Sequence, residues 1–252
     1  HHYTELIQPG GALIIHTDLE MKANVQEGVK IYEYSLDKGD FHAENIKIEN
    51  GNITFDFISP IESIKNVELG NPVPINIENG VAAMAMAQLN GCTAEELKYG
   101  MATYHGVDRR FDFSLKNDRH VLISDYAHHP KEIFQSAKSI KQLYSNRKIT
   151  AIFQPHLYTR TRDFYKEFAD ALSQLDEVIL CDIYPAREQP IPGVTSKLIY
   201  DNIAEGVEKS MIKKDEVIDL VKSRDFDVLV ILGAGDLDNQ VPKIAKILES
   251  KK

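Results

Sequence analysis

Ile149-Thr150-Ala151-Ile152-Phe153 runs directly into Gln154-Pro155-His156-Leu157-Tyr158-Thr159-Arg160-Thr161-Arg162-Asp163. An apolar run of strand length opens into a polar loop and then a helix-compatible stretch, the unit from which parallel sheets are built. Three further apolar runs, at residues 121–123, 178–183 and 228–232, are set apart by segments near 131–144, 162–175 and 196–222 whose apolar spacing predicts helices. Strands alternating with crossover helices imply an α/β domain with a mainly parallel sheet. A last amphipathic helix, carrying Leu237, Val241, Ile244, Ile247 and Leu248 on one face, is expected to close it.

The polar residues matter for where they fall. Asp125 and His128, then His156, Arg160 and Arg162, then Tyr184 and Arg187, then Gly233-Ala234-Gly235-Asp236 each sit just beyond the carboxyl end of one run. Open parallel sheets bind ligands at that edge, so four loops are expected to converge on one crevice.

Upstream the pattern differs. Pro9-Gly10-Gly11 before Ala12-Leu13-Ile14-Ile15 reads as a turn into a strand with no partner defined. Period-two alternation in Val29-Lys30-Ile31-Tyr32-Glu33-Tyr34, Asn45-Ile46-Lys47-Ile48 and Asn52-Ile53-Thr54-Phe55-Asp56-Phe57, with Glu49-Asn50-Gly51 as a hairpin turn, predicts an antiparallel sheet segment. After Pro72 and Pro74 a helix is expected over 78–89, and Thr93-Ala94-Glu95-Glu96 starts another, reaching about Thr103.

With 252 residues, two domains are a fair expectation. A formal net charge of -9 argues against sequence-independent attraction to nucleic acid or anionic membrane, so an anionic ligand must be held by a local basic site. Cys92 and Cys181 show no CxxC spacing and read as two reduced, buried thiols. No apolar run approaches the roughly 20 residues that span a bilayer, and cytoplasm is the expected compartment. His1-His2-Tyr3 starts without methionine, which reads as the cut end of a longer protein.

Taken singly, each motif has an ordinary reading. His128-His129-Pro130 is a capped turn opening a helix; Arg160 and Arg162 form a solvated helix start paired with Asp163 and Glu167; Arg109-Arg110 is a surface pair at a domain junction. Gly233-Ala234-Gly235 lacks the third glycine of a dinucleotide fingerprint and signals only close backbone approach. A metal-dependent phosphoesterase using Asp125, His128 and His156, or a non-catalytic nucleotide-binding domain, are the readings from other classes.

Several runs together carry a family resemblance. Gly106-Val107-Asp108-Arg109-Arg110-Phe111-Asp112, Asp125-Tyr126-Ala127-His128-His129-Pro130, Phe153 to Asp163, Pro190-Ile191-Pro192-Gly193 and Gly233-Ala234-Gly235-Asp236 resemble the carboxyl-terminal part of the Mur ligases. The DYAHxP element places the family, and the QPHxYTRTRD element resembles the member that adds L-alanine. The resemblance implies an ATP-dependent amide-bond ligase of peptidoglycan precursor synthesis, with UDP-N-acetylmuramate and L-alanine as substrates and ATP and Mg2+ as cofactors. Its near alternative is the related ligase that recycles a muramyl tripeptide.

The resemblance also implies roles. Arg110 reaches the ATP phosphates and Asp125 contacts the nucleotide; His128 faces the reaction centre; His156, Arg160 and Arg162 hold the incoming amino acid and the acyl-phosphate region. Asn76 and Asn79 match asparagines near the adenine, although Ile75 stands where the family has histidine. The GxxGKT/S phosphate loop is absent. Residues 1–107 then correspond to the distal part of a central ATPase domain and 108–252 to the carboxyl-terminal domain. Magnesium ligands are expected mainly outside this chain, which alone should be inactive.

Overall fold

Near the amino end, β1 (Ala12–His16) and β2 (Lys30–Tyr34) pair in parallel, with Ala12 opposite Lys30 and His16 opposite Tyr34. This corrects the expectation that residues 29–34 join the antiparallel segment. Alternation identifies a strand and not its partner, and the connection across 17–29 has the dozen or so residues that a parallel crossover needs. The antiparallel sheet is instead β3 (His42–Glu49), β4 (Asn52–Ile58) and β5 (Ile64–Glu68), in that order. Ile53, Phe55, Phe57, Ile64 and Val67 form its buried face. Helix α1 (Ile75–Leu89) packs against β1 and β3, and α2 (Ala94–Thr103) against β5. Thr93 and Glu96 form the expected capping box, the Thr93 N–H donating to Glu96 at 2.9 Å.

The computed structural model describes residues 3–20, 23–49, 51–106 and 110–251, and Asn50 of the expected hairpin turn and Arg109 lie outside them. The chain divides into two units, His1–His105 and Gly106–Lys252.

The second unit is built on one sheet of six strands. In chain order these are β6 (Asp112–Lys116), β7 (Val121–Asp125), β8 (Ile149–Phe153), β9 (Glu177–Leu180), β10 (Glu208–Met211) and β11 (Val228–Leu232), arranged β10-β9-β8-β11-β7-β6. All pair in parallel except β6, an antiparallel edge against β7. Every residue of β8 and β11 is buried, which is why both read as unbroken apolar runs: helices cover both faces. On one face α3 (Pro130–Leu143), α4 (Tyr158–Leu172) and α5 (Lys197–Tyr200) pack in succession, with Phe168 against Phe153 at 5.5 Å. On the other, α6 (Val217–Ser223) and α7 (Val241–Ser250) bury Val217, Val221, Ile244 and Leu248 on Leu122, Ile152, Ile179, Leu229 and Ile231. Each such side chain contributes about 1.5–3 kcal/mol of transfer free energy.

The segment 196–222 is not one helix, as the sequence predicts, but α5, β10 and α6. Strand β10 is a short edge strand whose Glu208, Ser210 and Met211 are exposed, so it carries no apolar run to betray it. Insertion of β11 between β8 and β7 reverses the strand order there, and the crevice above such a switch point is where a ligand site is expected.

Candidate functional site

The β8–α4 loop is set by its own backbone. Leu157, the residue before α4, has φ 75°, a conformation that costs a non-glycine residue about 1–3 kcal/mol unless its surroundings hold it. The loop after β9 supplies the hold. Leu157 N–H donates to Tyr184 O at 2.9 Å, Tyr184 N–H donates to Pro155 O at 2.8 Å, and the rings of His156 and Tyr184 stack at 5.6 Å. Glu188, farther along the same loop, accepts from Thr159 N–H at 3.0 Å and from the Thr159 hydroxyl. The first turn of α4 therefore has its exposed N–H groups answered by the chain's own carboxylate.

That turn separates the two arginines. Residues two apart on a helix point about 200° from each other. Arg162 is exposed and paired with Asp163 at 2.7 Å, with which it forms the ordinary surface contact. Arg160 is half-buried, lies 3.5 Å from His128 O, and has no carboxylate within ion-pair distance among the described residues. A partly desolvated guanidinium without an internal counter-ion is suited to receive an anion.

The β7–α3 loop brings the second histidine. His128 lies 6.0 Å from His156, ring centre to ring centre, and 5.1 Å from Tyr126. Its Nδ1 is 2.9 Å from Tyr126 O, and because a carbonyl can only accept, Nδ1 carries a proton and donates to it. Glu132, in the first turn of α3, accepts from the His128 and His129 N–H groups, both at 3.0 Å. Burial alone would raise the Glu132 carboxyl, but these bonds and the His128 charge hold it below its ordinary value.

His156 is shifted the other way. Burial first, then the charges of Arg160 and His128, push it below 6.5, while Glu188 opposes them. Its Nδ1 is buried and has no hydrogen-bond partner. The ring is thus neutral at neutral pH, with a basic nitrogen beside an unpaired guanidinium.

Asp125 has less freedom than its place at the strand end suggests. Burial raises its carboxyl, and its oxygens accept from Ser136 and from Ala127 N–H at 3.2 Å, fastening the loop to α3. In the β11 loop, what approaches Gly233-Ala234-Gly235 closely is Gln154. Its main-chain oxygen would stand 2.6 Å from a Cβ on Gly233, and its Oε1 2.2 Å from one on Gly235. Gln154 Oε1 accepts from Leu237 N–H at 3.0 Å and Nε2 donates to Asp236 at 3.1 Å, tying the two loops together. Burial would raise Asp236, yet Lys214 at 2.7 Å and Gln154 hold it low.

The structure therefore gathers His128, His156 and Arg160, with Tyr184 and Glu188 as supports. Arg110 is exposed, at the start of the second unit. In the first unit Asn76 and Asn79 sit together in the first turns of α1, Asn79 Nδ2 donating to Asn76 Oδ1 at 3.3 Å and Asn76 Nδ2 to Asn71 O at 3.4 Å. Glu188 and Gln154 were not singled out by role in the sequence, because their partners are distant along the chain. No group of three His, Cys, Asp or Glu among the described residues is placed to hold a metal ion, and no helix among them is long and apolar enough to cross a membrane.

Comparison with known proteins supplies the family. The chain is 64% identical over 249 residues to the UDP-N-acetylmuramate--L-alanine ligase of Phocaeicola vulgatus, covering 99% of this chain and 54% of that protein. It is 56% identical to the enzyme of the same name from Parabacteroides distasonis, over 98% of this chain and 53% of that one. Its fold is similar to the crystal structure of UDP-N-acetylmuramate-alanine ligase from Thermotoga maritima, with TM-score 0.73, 23% identity, and 95% of this chain and 52% of that one covered. The chain spans about half the length of the curated relatives it matches. Residues 109–235, half of the chain, match the family described as Mur ligase, glutamate ligase domain, and the chain belongs to the Mur ligase family.

Proposed function

We propose that the parent protein is a cytoplasmic ATP-dependent ligase that joins L-alanine to UDP-N-acetylmuramate, and that this chain supplies the side of the active site that receives the amino acid. The observation that carries the reading is the half-buried, unpaired guanidinium of Arg160 between His128 and His156. A planar guanidinium engages an amino-acid carboxylate through paired hydrogen bonds, and no carboxylate among the described residues stands within ion-pair distance of this one. The curated relatives named for L-alanine ligation support this assignment of substrates.

ATP supplies the phosphoryl group that activates the muramyl carboxylate as an acyl phosphate. The residues of this chain then act on the amine. L-Alanine arrives as an ammonium ion and must lose a proton before its nitrogen bonds to the acyl carbon and phosphate departs. His156, neutral at neutral pH, takes that proton. His128, with Nδ1–H fixed on Tyr126 O, presents Nε2 toward the same reaction. Arg160 and, at the outer edge, Arg162 stabilise negative charge as it develops on oxygen.

Of the nucleotide contacts the family resemblance implies, Asn79 carries an exposed amide in the first unit, while in the second Arg110 is exposed and Asp125 ends β7. The family's phosphate loop is not in this sequence, and we read residues 1–107 as the distal part of the ATPase domain. The chain alone should be inactive.

Arginine replacement in the parent protein tests the reading. Arg160→Ala should lower kcat/KM for L-alanine by about 10²–10³, the loss of two hydrogen bonds to a charged group. Arg162→Ala, which breaks only an exposed pair, should cost under about tenfold. An unchanged kcat/KM in Arg160→Ala counts decisively against the assignment.

A further inference from the structure

An amino acid is a zwitterion, and Arg160 accounts for only half of it. The carboxylates of the crevice differ sharply in what they already hold. Asp236 is paired with Lys214, Asp163 with Arg162, Asp125 is fastened to Ser136, and Glu132 takes the His128 and His129 N–H groups with the His128 ring nitrogen at 3.5 Å. Glu188 is different. Its donors are all neutral, the Tyr158 N–H and the Thr159 N–H and hydroxyl; no cation stands within ion-pair distance among the described residues, and the charges it acts on are the more distant Arg162 and His156. A carboxylate offers about four acceptor positions, so three neutral donors leave it capacity and leave its charge unmatched.

Glu188 is fastened to Thr159, the residue next to Arg160, so a carboxylate and a guanidinium, each without an ion-pair partner among the described residues, meet at the first turn of α4 beside the His156–Tyr184 stack. We propose that Glu188 receives the α-ammonium of the incoming amino acid while Arg160 receives its carboxylate, the two forming a zwitterion site across His156. This rests on the reading of the crevice as the amino-acid site and names the group that selects for the amine. A 2-hydroxy acid, with the same carboxylate and a neutral hydroxyl, satisfies Arg160 and leaves Glu188 unpaired. The site therefore discriminates against it.

Glu188→Gln in the parent protein separates this role from a structural one. The glutamine oxygen still accepts from Thr159 N–H and its amide still donates to the Thr159 hydroxyl, so the turn is kept and only the charge is lost. The expected result is a rise of about 10–100-fold in KM for L-alanine with a much smaller change in kcat, the loss of one charge-assisted contact. The ratio of L-lactate Ki to L-alanine KM should fall by a similar factor. A general loosening of the loop would weaken both molecules together and leave the ratio alone. An unchanged ratio in an active variant overturns the proposal, whatever happens to KM; a parent protein with no L-alanine-dependent phosphate release instead removes the reading on which it rests.

Discussion

Adding one methyl group at Gly235 should destabilise the protein, and the same methyl should be harmless once Gln154 is gone. The ideal Cβ at this position stands 2.2 Å from Gln154 Oε1, so the glutamine side chain must leave. Leaving forfeits two bonds. Leu237 N–H, on a residue only 2% exposed, loses its acceptor, and Asp236 loses a donor. A buried donor left unsatisfied costs about 1–3 kcal/mol, and the bond to half-exposed Asp236 adds about 1 kcal/mol, so Gln154→Ala should cost about 2–4 kcal/mol. Gly235→Ala incurs the same loss, offset by the roughly 0.4–1 kcal/mol that alanine gains over glycine through the unfolded chain. Its net cost is about 1–3 kcal/mol. With Gln154 already replaced by alanine, the clash partner is absent and only the Tyr184 Cβ contact at 3.0 Å remains. Gly235→Ala should then be neutral or slightly stabilising, a coupling of about 2 kcal/mol and a change of sign. Urea unfolding followed by far-UV circular dichroism suits a chain without tryptophan. Additivity of the two substitutions to within about 0.5 kcal/mol would refute the idea that Gln154 is what the glycines make room for.

Two further outcomes follow from charge. His156 has its pKa below the unfolded value of 6.5, so folding opposes its protonation: stability is full above about pH 6.5 and declines as pH falls toward the lower folded value. The decline between neutral and mildly acidic pH should be smaller in His156→Gln, measured by the urea midpoint at each pH, and identical slopes would mean the ring is not desolvated as described. At the opposite end of the sheet, Glu177 is 4% exposed and bonded to Arg224 and to Thr150 at 3.1 Å, so Glu177→Gln should cost about 1–3 kcal/mol, discounted because Arg224 is partly exposed; a change under about 0.5 kcal/mol in the urea midpoint analysis contradicts the network.

How much of this was legible in the sequence depended on whether the physics was local. Strands β8 and β11 announce themselves because both faces are buried, so every position is apolar. Strand β10 does not, because an edge strand exposed to water has no such pattern. The convergence of His128 and His156 follows from the rule that parallel sheets present loops at their carboxyl edge, and the observed 6.0 Å between the rings fits it. Arg160 and Arg162 looked equivalent as letters, yet the helical turn places them on opposite sides. Gln154 and Glu188 were silent because their partners lie 82 and 29 residues away along the chain. Side chains that tie loops together are written in the fold rather than in any spacing.

Receipt of L-alanine by Arg160, His156 and His128 within a larger ATP-dependent ligase is open to direct test. Phosphate release by the parent protein, measured with each component withheld in turn and with muramyl tripeptide offered in place of L-alanine, tests it most directly. Release is expected only when ATP, UDP-N-acetylmuramate and L-alanine are all present. Release that ignores L-alanine, or that needs the tripeptide instead, would contradict it.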